Sequence, residues 1–155
     1  MFSRDAQNVA STIDDELSEV RMMSLSKPGV HTMVLHCDAN GKKTSVNGAG
    51  IPSGNYIKIQ STVTDDSGND VTSEKIIMLK KDANIIFYAE GDTEPTSPTD
   101  KTIYITFDKA NGSVKQFKVD AATLTSKKIY YIKCKAKNKE KLISIMDVTG
   151  RHTVE

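Results

Sequence analysis

MFSRDAQNVASTIDDELSEVRMMSLSKPG, residues 1–29, is the one stretch of this chain with a sustained helical period. Its apolar residues fall at Phe2, Ala6, Val9, Ala10, Ile13, Leu17, Val20 and Met23. Steps of three and four keep such side chains on one face of an α-helix. The other face carries Arg4, Asp5, Asn8, Asp14, Asp15, Glu16, Glu19 and Arg21. The spacing predicts a helix over residues 1–27. Lys27-Pro28-Gly29 should stop it, because the residue before a proline is pushed out of the α region and Gly permits the exit turn. About 22 residues at 1.5 Å each make a rod of roughly 33 Å. Val9, Ile13, Leu17 and Val20 form the expected packing or assembly face. Phe2–Ala10 are expected to project free of the β part. Ser3 could cap the start, but Ala6 denies it a capping box, and so abrupt a start suggests a chain cut from a longer one.

Beyond Gly29 the pattern changes to short runs rich in β-branched and aromatic residues. They lie at 30–37, 56–64, 74–79, 84–89, 102–107, 113–119, 129–135, 141–147 and 152–154. Asn40-Gly41 and Asn111-Gly112 are hairpin signals, and Lys137-Asn138-Lys139 turns a further hairpin. Ile76-Ile77-Met78-Leu79 is a continuous apolar run, which argues for burial on both faces. Residues 46–55 read as loop, and 90–101 as a mobile surface connection. The expected fold class is α+β, with one long N-terminal amphipathic helix packed on an antiparallel β domain of about eight strands. Residues 1–27 are the helix and 28–155 the β part of a single structural domain.

The chain has 155 residues, enough for a real core, and 21 Lys plus Arg against 20 Asp plus Glu. That balance carries no global signature of nucleic-acid or membrane-surface binding. Locally the charges segregate. Asp14, Asp15, Glu16 and Glu19 crowd two helical turns, whereas Lys133, Lys135, Lys137, Lys139 and Lys141 crowd one hairpin. Those two groups are candidate electrostatic assembly contacts, within one subunit or between neighbours. Lysines interleaved with Tyr130 and Tyr131 could attract a nucleic-acid backbone, but edge-strand protection is the favoured account. No apolar run is long enough to span a bilayer, and no signal-peptide core is present.

Catalytic constellations are missing. There is no Gly-x-Ser-x-Gly elbow, no Gly-x-Gly-x-x-Gly and no phosphate loop. His31 and His36 are five apart on a strand and point to opposite faces. Asp65-Asp66-Ser67-Gly68-Asn69-Asp70 lacks the ligand order of a calcium loop and reads as a hairpin tip. No enzyme, cofactor or metal is expected. Cys37 and Cys134 lie in separate runs and permit one bridge; whether they form it or stay buried thiols is open.

Three places carry a family resemblance. Leu17-Ser18-Glu19-Val20-Arg21-Met22-Met23-Ser24 ends the helix, Ile105-Thr106-Phe107-Asp108 leads to Gly112, and Asp147-Val148-Thr149-Gly150-Arg151 turns before a last strand. Together they resemble the soluble part of a type IV pilin or pseudopilin, most closely the minor subunits of the GspH/FimT kind. The family's processing site and the apolar first half of its helix are not in this sequence. The resemblance implies a structural subunit that works by filament assembly in adhesion, motility, secretion or DNA uptake. Its partners would be other pilin or pseudopilin subunits. An N-terminal segment absent here would anchor it in the membrane before assembly, and its place would be extracellular, at the cell surface. The alternative is an extracellular β-rich ligand-binding module on a helical stalk.

Overall fold

In the computed structural model, which describes residues 4–120, 122–123 and 128–155, helix α1 runs Asp5–Ser26. Ala6, Val9, Ala10, Ile13, Leu17, Val20 and Ser24 are its buried residues. The stripe therefore forms as the spacing requires. Lys27 turns extended, its N–H donating to Met23 O at 2.9 Å. Gly29 follows at φ +96°, where a Cβ would lie 2.4 Å from Thr62 O. Only glycine fits both that φ and that contact.

Twelve strands follow among the described residues. They are β1 (Val30–Cys37), β2 (Ser45–Val46), β3 (Pro52–Ser53), β4 (Tyr56–Thr64), β5 (Asp70–Met78), β6 (Asn84–Ala89), β7 (Lys101–Phe107), β8 (Val114–Val119), β9 (Ala122–Thr123), β10 (Ile129–Ala136), β11 (Lys139–Met146) and β12 (His152–Val154). One sheet has the order β5-β4-β1-β7-β8-β9, a second β12-β11-β10-β6, and β2 pairs with β3 alone. All the pairings are antiparallel.

The helix packs on β1 and β7 of the large sheet and on β10, β11 and β12 of the small one. It thus closes the gap between two sheets. Beneath it Met33, Leu35, Ile57, Ile103, Ile105, Ile132, Ile143 and Ile145 fill one core. Phe117 of β8 and Tyr130 of β10 stack across that core with centroids 4.5 Å apart.

Four expectations are corrected. The α+β class with about eight strands gives way to a mostly β molecule with one helix and twelve strands in three sheets. The additional strands β2, β3 and β9 are two residues each and mostly exposed. Backbone pairing makes them, and no apolar alternation announces them. Phe2–Ala10 do not project free as far as they are described, since Ala6, Val9 and Ala10 belong to the core; Phe2 and Ser3 lie outside the described residues. The run 76–79 is not buried on both faces. Strand β5 is the outermost of its sheet, and Met78 is 45% exposed while Leu79 is buried. Asn40-Gly41 turns the chain but joins no hairpin, because β1 pairs with β4 and β7 instead.

Candidate assembly junction

The helix carries a polar seam beside its apolar stripe. Asp14, Ser18 and Arg21 are spaced four and three apart, so they line one flank and face the closing turn and β12. Arg21 is the centre of the junction. Its Nε donates to Gly112 O at 3.1 Å and to Thr149 O at 3.2 Å, and its Nη2 donates to Thr149 O at 2.9 Å. Both acceptors are backbone carbonyls held by tight turns. Gly112 N donates to Asp108 O and Gly150 N to Met146 O, at 2.8 and 2.7 Å. Val114 N donates to Asp147 O at 2.9 Å and ties the two turns together.

Two glycines make the approach feasible. A Cβ on Gly112 would lie 2.8 Å from Arg21 Nη2. One on Gly150 would lie 1.9 Å from Gly112 O and 3.0 Å from the Phe107 ring. Any side chain at Gly150 would drive the two turns apart. The three places that carry the family resemblance, remote in sequence, therefore meet at one guanidinium.

One turn earlier, His152 of β12 sits between two helical side chains. Its Nδ1 contacts Asp14 Oδ1 at 2.5 Å and its Nε2 contacts Ser18 Oγ at 3.2 Å. Beside them lies a cavity of about 480 Å³ lined by Ser18, Arg21, Met22, Leu25, Arg151 and His152. A larger one, about 630 Å³, lies between β6 and β8–β9, with Phe87, Tyr88, Pro95, Lys101, Val119 and Asp120 in its walls.

Val9, Ile13, Leu17 and Val20 are all buried against the chain's own sheets. The candidate electrostatic groups scatter. Asp14 goes to His152. Burial raises the Glu16 carboxyl above its ordinary range; Lys75 opposes the shift, and Glu19 and Asp15 add to it. Glu16 Oε2 is buried without a hydrogen-bond partner. Asp15 and Glu19 are exposed. Strand β10 alternates, with Tyr130, Ile132 and Cys134 in the core and Lys133 and Lys135 on the outer face. Lys133 pairs with Glu94 and, at 3.4 Å, with Glu140. The bond from Lys133 holds Glu94 below, and that from Glu94 holds Lys133 above, their ordinary values. Asp14 and Lys133 thus take partners other than each other. Lys137 and Lys139 are exposed around the hairpin turn, and Lys127 lies outside the described residues. Tyr130 is core, and Tyr131 packs on Tyr88 with centroids 4.9 Å apart. Of the two tyrosines only Tyr130 turns inward; Tyr131 shares the outer face with Lys133 and Lys135.

Cys37 and Cys134 are buried free thiols. Burial pushes Cys134 up to about 12, and burial, helped by Cys134, pushes Cys37 up as well. His31 is buried between Ser61 Oγ and Pro28 O, at 2.8 and 3.0 Å. His36 Nδ1 donates to Gly54 O at 2.8 Å, and the ring stacks on Tyr56. Asp65 Oδ1 accepts the N–H groups of Ser67 and Asn69, both at 2.9 Å, and so caps its own hairpin tip. Among the described residues no group of three metal-ligating side chains converges, and no helix is long and apolar enough to cross a membrane.

The Asp14–His152–Ser18 contact is not visible in the sequence, where Arg21 stands out only on the polar helix face and in the helix-end motif. The polar spacing 14, 18, 21 beside the apolar 13, 17, 20 was the available signal. The chain matches no protein-family model, no curated protein and no solved structure.

Proposed function

We propose that this chain is a structural subunit of a type IV pilus or type II-secretion-like pseudopilus, acting by filament assembly with other such subunits at the cell surface. The observation that carries this reading is the Arg21 junction, which gathers the helix end, the β7–β8 hairpin and the closing turn. A subunit whose helix is held in a filament core and whose β part lies outside must transmit load between them. A half-buried fork of charge-assisted bonds to two rigid turns suits that task. So does a helix whose stripe is buried in both sheets. In this reading Asp15 and Glu19 on the exposed helix face, and Lys135 and Lys137 on the β10–β11 hairpin, meet neighbouring subunits. Such pairs fix register and speed encounter more than they add affinity.

The test is a charge exchange in the full-length protein in its own cells. Asp15→Lys with Glu19→Lys should reduce filament recovery, and adding Lys135→Glu with Lys137→Glu should restore part of it. If the combined exchange is no better than either half, these patches are independent. The alternative, a ligand-binding module on a helical stalk, draws on the 630 Å³ cavity between β6 and β8–β9. Its volume and its Phe87–Tyr88–Pro95 lining suit a small ligand. Specific retention of the chain on a glycan or peptide array, abolished by Tyr88→Ala, would favour it.

A further inference from the structure

Ser18, His152 and Asp14 stand in the connectivity of an acyl-transfer triad, and we propose that they form a serine esterase site for carboxylic esters with a short apolar acyl chain. This rests on geometry alone and is independent of filament assembly. The Asp14 carboxylate accepts from His152 Nδ1–H at 2.5 Å. In the neutral tautomer with its proton on Nδ1, the Nε2 lone pair faces Ser18 Oγ, 3.2 Å away. A base within hydrogen-bond reach of a hydroxyl, itself oriented by a third group, is the geometric mark of an activated nucleophile. Ser18 is exposed, as a nucleophile must be, whereas the His152 side chain is only 9% accessible and is held in place. Asp14 and Ser18 are four apart on a rigid helix, which fixes two of the three groups relative to each other.

The adjoining 480 Å³ cavity supplies the rest. Met22 and Leu25 give an apolar wall for the acyl chain. Arg151 lines the same cavity, and in the proposed site its guanidinium would stabilise the carbonyl oxygen as charge develops there. Arg21 is already committed to Gly112 O and Thr149 O.

The step balances with water as the only co-reactant. Ser18 Oγ attacks the ester carbonyl as its proton passes to His152 Nε2. The tetrahedral intermediate breaks its bond to the alkoxy oxygen, which leaves as the alcohol with the proton from Nε2. Water then adds to the acyl-serine, giving its proton to Nε2. The C–Oγ bond breaks, the acid leaves, and the proton returns to Ser18.

The test uses the whole chain and two probes, a fluorophosphonate and p-nitrophenyl butyrate. The fluorophosphonate should form one Ser18 Oγ–P bond with loss of fluoride, located by peptide mass spectrometry. Ser18→Ala, a helix-favouring change at an exposed site, should abolish the label and lower ester hydrolysis by roughly 10²-fold or more. Ser26→Ala on the same helix should leave both unchanged. Asp14→Asn should lower kcat with KM retained, as expected of a positioning residue. Absence of label at Ser18, label at another residue, or a Ser18→Ala variant that hydrolyses the ester as fast as the parent would overturn the proposal.

Discussion

Removing the Arg21 fork should loosen the molecule at its most connected point. Arg21→Ala deletes three N–H···O contacts to two backbone carbonyls. Gly112 O cannot easily turn to water, because Gly150 packs against it. A hydrogen bond from a charged donor contributes about 1.5–3 kcal/mol net. The two contacts to Thr149 O share one acceptor, and the group is half-exposed. The expected cost of Arg21→Ala is therefore about 2–3 kcal/mol. At ~2–4 °C per kcal/mol for a chain of this size, Tm should fall by roughly 4–12 °C. Arg21→Lys retains the charge but has one ammonium in place of a planar fork, so it should recover less than half the loss. Arg21→Met keeps the aliphatic stem and separates lost packing from lost donors. Thermal melts and urea titrations of the four proteins measure this. An Arg21→Ala protein that melts within about 1 °C of the parent would mean that the fork contributes no more than an ordinary surface charge.

Three other outcomes follow from the same structure. Leu17, fully buried under the middle of α1, should cost about 2–5 kcal/mol when replaced by Ala, read as a lower urea midpoint with an unchanged slope. Glu16→Gln should raise Tm at neutral pH, because burial lifts the carboxyl's pKa in the folded state and so disfavours its charged form. The same linkage makes folding more favourable as pH falls through that raised value, and the difference between Gln and Glu should vanish once pH lies below the ordinary 4.5. Cys37 and Cys134 should resist a thiol reagent at pH 8 in the native protein and react in guanidinium, since burial holds both protonated, Cys134 up to about 12.

Much of the fold was legible because it rests on periodicity. The apolar steps from Ala6 to Val20 placed the helix, and Lys27-Pro28-Gly29 placed its end. Nine β runs were visible from composition and turn residues. What was not legible depends on pairing across the sequence. Strands β2, β3 and β9 are too short to show alternation. The apolar run at 76–79 reads as central but lies at a sheet edge, because strand order is not written in any one strand. The junction was half visible: Arg21, Gly112 and Thr149-Gly150 stood out as motifs. Their convergence was not, because the acceptors are carbonyl oxygens that no residue type encodes. Asp14, Ser18 and His152 were hidden for a similar reason. The first two share a helical flank, but the third is 134 residues beyond Ser18.

Whether the chain works as part of a filament is decided by where the full-length protein lies in its own cells. An epitope inserted at the exposed hairpin tip between Asp66 and Ser67 should leave the core untouched. Cells are sheared, and the filament, membrane and medium fractions are probed, with immunogold electron microscopy of the filaments. A filament subunit should give tag in the sheared fraction and gold on filaments, with Arg21→Ala reducing both relative to the membrane pool. Tag confined to membrane or medium, in cells whose sheared fraction contains filaments, would contradict it.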